Sequence, residues 1–402
     1  MRVRARVFRD IEEAKKQIAD IGVEPVSVDI MGPKAVHLNL LIEGVRPPVA
    51  IIIKESMLAV GADAAINRNV ITHKIDKCDV LVMATRKQLR RAVQNLKMQP
   101  FGIEELSVEI LRAADNFYKQ PAPWKLPDGT EFTFDYTRVM GILNVTPDSF
   151  SGDGIYGDVE KAVEYAVQME RDGADLIDIG GESTRPGAEP VDEKTEMERV
   201  IPVIKELRDR VKIPISIDTV KPAVAKAAID AGATVVNDVT ALFNRDLINL
   251  CAQERVPVIA MHMKGTPHDM QVEPHYDDVI GEIMHYLANR ADDAVDGGIE
   301  EQQIAIDPGI GFGKRLEDNL EIIRRLAEFK TLGHPISIGV SRKAFIGRIS
   351  GLPAEQRLEG SIGAACVAAW NGADIVRCHD VKDTKQALQL VDAIKYYNMP
   401  SD

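Results

Sequence analysis

From Val139 onward the chain alternates between two hydrophobic rhythms. Short runs rich in Ile and Val (VMGILNV, DLIDIGG, PISIDT, TVVNDV, PVIAMHM, IAIDPG, PISIGVS and DIVRCHD) are separated by longer stretches in which apolar residues return every three or four positions. The short runs read as strands buried on both faces. The longer ones, such as DVEKAVEYAVQMERDG, EMERVIPVIKELRDRV and LEDNLEIIRRLAEF, read as amphipathic helices. Ala231-Gly232-Ala233 and Gly372-Ala373-Asp374 look like helix stops placed just before the next strand. Strict alternation of strand and helix predicts a parallel sheet. Eight units within about 260 residues predict a sheet closed into a (β/α)8 TIM barrel, an α/β fold. No G-x-G-x-x-G follows the first strand, which weakens an open dinucleotide-binding sheet.

The pattern before Val139 is different. Residues 1–117 read as a small α/β domain, with helical periodicity in DIEEAKKQIADIG and TRKQLRRAVQNLK and strand candidates in AVHLNLLIEG, VAIIIK and DVLVMA. Residues 118–136 hold Pro121, Pro123, Pro127 and an Asp128-Gly129 turn signal, which predicts a linker running into a short β-hairpin. The barrel then occupies 137–402. Charge supports the division: residues 1–120 carry a net +4 and the remainder −17. Arg86, Lys87, Arg90 and Arg91 form a basic helical cluster, read as a solvated face. No chemistry attaches to this first domain, and docking or assembly is its expected role.

Composition narrows the function classes. The 402 residues are 45% hydrophobic and carry a net charge of −13, which argues against general nucleic-acid binding. No apolar run approaches the roughly 20 residues of a membrane helix. The start, MRVRARVFRDIEEAKK, lacks the apolar core of a signal peptide, so a cytoplasmic location with no membrane partner is expected. Cys78, Cys251, Cys366 and Cys378 are scattered, with no C-x-x-C pair, and read as thiols of the interior.

Chemistry enters at the strand ends. In order they carry Asn144, Glu182-Ser183-Thr184-Arg185, Asp218, Asn237-Asp238, His262, Asp307, Ser341-Arg342-Lys343 and Arg377-Cys378-His379-Asp380. In a barrel these ends form one rim, where active sites sit. A single polar residue there usually caps a helix or holds a loop. Eight in succession, all around one mouth, call for a ligand. Asp218, Asn237 and Asp307 offer acceptors and an amide donor for a flat heterocycle with several N–H groups, and Lys343 offers a donor to a carbonyl. Asn144, Arg377 and His379, on the first and eighth strands, form an anion corner where a metal could be shared. Thr184 and Arg185 lie on a Gly- and Pro-bounded loop, and the polar run after Asn144 reads as a lid. Together these features point to group transfer with a diphosphate leaving group.

The stretches MGILNVTPDSFSGDG, GGESTRPGA, SIDT, NDV, IDPGIGFGK, GVSRKAFIG and VRCHD resemble the signatures of the dihydropteroate synthase family, in its order, over residues 137–396. The resemblance implies condensation of 6-hydroxymethyl-7,8-dihydropterin diphosphate with 4-aminobenzoate, giving 7,8-dihydropteroate and diphosphate, with Mg2+ as cofactor. It implies that Asp218, Asn237, Asp307 and Lys343 hold the pterin edge, with Met261 and Phe312 lining the pocket and Arg377 stacked on the ring. Asn144, Thr184, Arg377 and His379 would hold the diphosphate, and Asn144 would also contact the metal. Lys343, Arg185 and Asp153 are the implied catalytic residues. A homodimer is expected on the same ground.

The sequence departs from the family pattern in three places. Ser151-Gly152-Asp153-Gly154 stands where SDGG is common, so the acid is displaced by one. Ala344 stands where many members carry a Ser that helps hold the aminobenzoate carboxylate, and Ile310 stands where many have Phe. Two rival readings are a pterin-binding methyltransferase acting on a corrinoid protein and a non-catalytic pterin-binding module. The first has no need of the STRPG loop or the SRK triplet, and the second leaves the anion corner without a purpose.

Overall fold

The chain folds as two units, Met1–Lys119 and Gln120–Asp402. The computed structural model describes residues 2–8, 10–72, 74–100, 102–146, 157–183 and 189–396.

The first unit runs α1 (Ile11–Asp20), α2 (Pro25–Met31), β1 (His37–Val45), α3 (Pro47–Ala59), β2 (Asp63–Ile66), β3 (Cys78–Thr85), α4 (Arg86–Leu96) and α5 (Ile103–Tyr118). Its three strands form an antiparallel sheet in the order β1-β3-β2. Leu38, Leu40 and Ile42 alternate into the core with Val80, Val82 and Ala84, as the period of two requires. Thr85 ends β3 and caps α4 in a reciprocal pair with Gln88. VAIIIK, expected as a strand, lies inside α3. Pro47 and Pro48 open that helix, where a missing N–H costs nothing. Val49, Ala50, Ile53 and Met57 are among its buried residues, at helical spacing; three consecutive isoleucines satisfy either period. Asp115 on α5 takes ion pairs from both Arg86 and Arg90, so one acid offsets part of the charge of the basic cluster.

In the second unit the segment from Gln120 is packed and is no free linker. A hairpin of β4 (Trp124–Lys125) and β5 (Glu131–Phe132) puts Trp124, Leu126, Phe132 and Phe134 into one cluster with Met140, Leu176, Val235, Ile259, Ala305 and Ile375. The barrel strands are β6 (Arg138–Asn144), β7 (Leu176–Gly180), β8 (Ile215–Asp218), β9 (Val235–Asp238), β10 (Val258–Met261), β11 (Ile304–Asp307), β12 (Ser337–Gly339) and β13 (Ile375–Cys378). The helices are α6 (Val159–Arg171), α7 (Glu193–Leu207), α8 (Pro222–Ala231), α9 (Arg245–Glu254), α10 (Val279–Asp296), α11 (Leu316–Arg324), α12 (Ala344–Ser350), α13 (Leu358–Trp370) and α14 (Val381–Tyr396). Neighbouring strands are parallel, β6 pairs with both β7 and β13, and an Ile306–Ile336 bridge closes the ring between β11 and β12. The expected (β/α)8 barrel is therefore present.

Period two sorts each strand into an outer and an inner face. Val139, Ile177, Ile179, Ile217, Val236, Ala260, Ile306, Ile338 and Val376 pack in the cluster that includes the helices. Met140, Leu176, Val235, Ile259, Ala305 and Ile375 face inward and meet the hairpin. Two residues further along each strand, the inward position holds Ile142, Asp178, Asn237, Met261, Asp307 and Arg377. The barrel interior is thus apolar where the hairpin plugs it and polar one layer above. The four cysteines are free thiols; Cys78, Cys251 and Cys378 are buried as expected, whereas Cys366 is only half-buried on α13. Among the described residues, no helix is long and apolar enough to cross a membrane.

Candidate active site

The polar layer is organised around one guanidinium. Arg377 donates from Nε to Asp178 Oδ2 at 2.6 Å and from Nη2 to Asp218 Oδ2 at 3.0 Å. The same Asp178 oxygen accepts from the Asn237 side-chain amide at 3.0 Å. Asp178 is fully buried, and its Oδ1 has no hydrogen-bond partner among the described residues. On the far side of the layer, Asp307 accepts from the Gly309 N–H at 2.7 Å and from the Ser337 hydroxyl at 3.2 Å. Burial, reinforced by the Asp178 carboxylate, pushes Asp218 up to about 7, against the lowering pull of Arg377. Burial also raises Asp307, opposed by the Gly309 N–H and by Lys343.

Above this layer lies a cavity of about 620 Å³, whose walls include Asn144, Asp218, Phe312, Lys343, Arg377 and His379. Glu182, Ser183, Ser341 and Arg342 line it too, so residues picked out at five different strand ends share one cavity. Asn237, Met261 and Asp307 belong to the inward layer beneath it. Asp153, Thr184 and Arg185 lie outside the described residues. At the expected anion corner, Asn144, Arg377 and His379 all line the cavity, with Arg377 braced by Asp178 and Asp218. His379 approaches Ser341, whose Oγ lies 3.0 Å from Nδ1 and accepts from the backbone N–H at 3.3 Å.

Two loops carry the rest of the wall. In DPGIGFGK, Gly309 and Gly313 have positive φ, and a Cβ on either would sit 1.9 Å from the His262 carbonyl oxygen or 2.2 Å from that of Lys264. Only glycine lets the two backbones lie together there. Lys314 closes the loop. Its Nζ donates to the Phe312 carbonyl at 3.0 Å and the His262 carbonyl at 3.4 Å, and sits 2.9 Å from His262 Nδ1. Burial lowers Lys314 to about 7; burial and that lysine bring His262 down to about 2. Phe312 in turn carries the Lys343 ammonium 4.2 Å from its ring centroid. The SRK turn, with Arg342 at φ 56°, is braced by paired bonds from Arg342 to Asp380 and by Arg357 Nη1 on the Arg342 carbonyl at 3.0 Å.

A third group anchors the chain after β7. Glu182 takes the Lys221 ammonium at 2.7 Å on one oxygen and the Val191 N–H at 3.0 Å on the other. Lys221 also holds the fully buried Glu196. Sequence reasoning passed over Asp178, Lys314, Lys221 and Arg357. Asp178 had a signal: it stands two residues before Gly180 on the inward register, a charge in the middle of an apolar strand.

Fold and site together define a barrel enzyme of the pterin-binding class, and the family model for pterin binding enzymes matches residues 140–379. A dihydropteroate synthase of Synechocystis is 46% identical over 277 residues, 68% of this chain and 96% of that relative. The crystal structure of a Yersinia pestis dihydropteroate synthase with a sulfonamide drug superposes with a TM-score of 0.67 at 40% identity, covering 68% of this chain and 100% of that one. The chain belongs to the dihydropteroate synthase family, and it is a transferase. A probable bifunctional folylpolyglutamate synthase/dihydropteroate synthase of Halobacterium salinarum is 36% identical over 385 residues, 96% of this chain and 46% of that relative. At 96% of this chain, that match extends into the first unit.

Asp178→Ala removes the acceptor shared by Arg377 and Asn237 and leaves a buried guanidinium half-paired. It should lower the unfolding free energy by about 3 kcal/mol, read by chemical denaturation. A change below about 0.5 kcal/mol would mean that Asp218 alone suffices to hold Arg377.

Proposed function

We propose that this chain condenses 6-hydroxymethyl-7,8-dihydropterin diphosphate with 4-aminobenzoate in the cytoplasm, as part of folate biosynthesis. The observation that carries the reading is the inward polar layer of Asp178, Asn237, Asp307 and Arg377 directly beneath a cavity edged by Asn144, Asp218, Lys343 and His379. A dihydropterin presents ring N–H and amino donors along one edge, which the carboxylates of Asp218 and Asp307 accept. The Asn237 amide completes that edge, and Lys343 donates to the ring carbonyl. The Arg377 plane, fixed at Nε and Nη2, offers a flat wall for stacking, and Met261 and Phe312 supply apolar contact.

In the reaction the bond from the pterin methylene carbon to the diphosphate oxygen breaks, its electron pair leaving with the diphosphate. The amine nitrogen supplies the pair for the new C–N bond and gives up one proton, which the departing diphosphate can accept. Arg377 and His379 would stabilise the charge gathering on the leaving group, with Asn144 and Thr184 also binding it. Arg185 and Asp153 join this reading as catalytic residues on the strength of the family motifs. Magnesium fits as an ion that arrives with the diphosphate. Among the described residues no group of three acidic, His or Cys side chains could hold a metal alone, and Asn144 offers a single oxygen at the cavity. When bound, the ion supplies further charge neutralisation at the diphosphate.

The first unit is read as a docking or assembly element, and the whole as a homodimer built on the barrel. The fragment 120–402, assayed and sized by light scattering, should turn over as a dimer; a folded but inactive fragment would give the first unit a part in catalysis.

Turnover of both substrates with magnesium should release dihydropteroate and diphosphate in equal amounts, and Lys343→Ala should abolish it. Diphosphate alone would indicate a different amine. Neither product, despite tight pterin binding, would favour the corrinoid-linked methyltransferase or the binding module.

The raised Asp218 sets a pH dependence. Its carboxylate is the acceptor, and that form is lost as pH falls through about 7. Affinity for the diphosphate-free dihydropterin should therefore weaken about tenfold per pH unit below 7, read by fluorescence titration. Asp218→Asn should flatten the profile, separating this group from Lys314, which titrates in the same range. Constant affinity from about pH 8 to 5.5 would remove Asp218 from the ring contact.

A further inference from the structure

A cluster outside the pterin layer holds the base of the loop that follows β7. Gly180, the last residue of β7, pairs with Asn144 on one side and Asp218 on the other, so the chain leaves the barrel beside the corner assigned to the diphosphate. Gly181 lies against α7. A Cβ there would sit 2.8 Å from Val200 Cγ1 and 3.2 Å from the Glu196 carbonyl oxygen, and the Gly181 carbonyl accepts from Arg199 Nη1 at 2.8 Å. Glu182 and Ser183 then line the cavity. From there the Glu182 carboxylate accepts the Val191 N–H, nine residues on, and closes the base of the loop.

Lys221, between β8 and α8, completes the cluster. Its ammonium donates to the second oxygen of Glu182 at 2.7 Å and also to Glu196. Lys221 and Glu182 are only 18% and 20% exposed, and Glu196 is fully buried. Among the described residues, Lys221 is the one cation paired with either acid, and none of the three hydrogen-bonds to Asp178, Asn237, Asp307 or Arg377. A carboxylate therefore stands in the wall of a cavity assigned to a diphosphate, where unpaired it would repel that ligand. Lys221 ties this carboxylate down and neutralises it.

We propose that Lys221 is a positioning residue for the diphosphate, acting through Glu182 on the base of the loop after β7. The assignment rests on the reaction given above. Ser183 follows Glu182 in the cavity wall, and Thr184, assigned to the diphosphate, comes next in the chain. The groups assigned to the ring stand on other strands and take no support from Lys221. Its loss is felt at the diphosphate end of the substrate and spares the ring end.

Two ligands distinguish the ends: the dihydropterin diphosphate and the diphosphate-free 6-hydroxymethyl-7,8-dihydropterin, each titrated by fluorescence with magnesium present. Lys221→Met should weaken the first about tenfold and leave the second within about twofold. Lys221→Arg, which can still reach both acids, should restore most of the loss. If Lys221→Met fails to fold, Glu182→Ala carries the same test, because it cuts the tether while the Lys221–Glu196 pair remains. A merely structural role would weaken both ligands together. Equal loss for both, or no loss for either, would overturn the assignment and leave the reaction standing. Equal affinity of the unaltered protein for the two ligands would overturn the diphosphate reading and this assignment with it.

Discussion

The pairing of Arg377 with Asp178 and Asp218 inside the barrel is the interaction on which the rest of the site depends. Three carboxylates, Asp178, Asp218 and Asp307, occupy or border a layer of the interior that holds one guanidinium. Taking such groups out of water is costly, and one arginine cannot compensate three acids. The excess shows in the raised carboxyls of Asp218 and Asp307. A folded chain that retains this excess is poised to accept N–H donors, and a flat heterocycle with several of them relieves it. Packing inside the barrel comes from the apolar layer below, sealed by Trp124, Phe132 and Phe134.

The division between the two layers is a matter of register. Each strand contributes one inward residue to the plug and the next to the ligand layer, so a slip of one residue would exchange interior and helix-facing positions together. The loops above are fixed by backbone proximity. Gly309 and Gly313 allow the loop after β11 to lie against the residues following β10, and Lys314 ties the two through carbonyls on each. Phe312 is thereby held where it meets Lys343. A chain of short contacts runs from a glycine without a Cβ to the ammonium that faces the cavity.

Much of this could be read in advance, for a physical reason. Strand ends in a barrel converge on one rim, so Asn144, Asp218, Lys343 and His379 were legible from position alone, without knowledge of side-chain direction. Direction was less legible. The bracing of Arg377 by two acids was hidden, because Asp178, a residue in mid-strand, is unremarkable until the inward register is known. VAIIIK misled for a related reason. β-Branched residues favour strands only weakly, and the Pro47-Pro48 start together with burial at positions 49, 53 and 57 decided for helix. Lys221, with its partners Glu182 and Glu196, was hidden because the three are brought together from separate segments by tertiary packing.

The two ends of the cavity are built on different supports, and this bears on which can change. The groups assigned to the pterin stand on strands whose side chains interlock across the interior, where a substitution disturbs partners on several strands at once. The opposite wall includes the turn after β12 and the seven-residue α12, where Ala344 and Arg348 are exposed and line the cavity. A change at either position requires no repacking of the barrel and leaves the Arg377 layer untouched, so the two walls of one cavity differ in how far their side chains can vary independently.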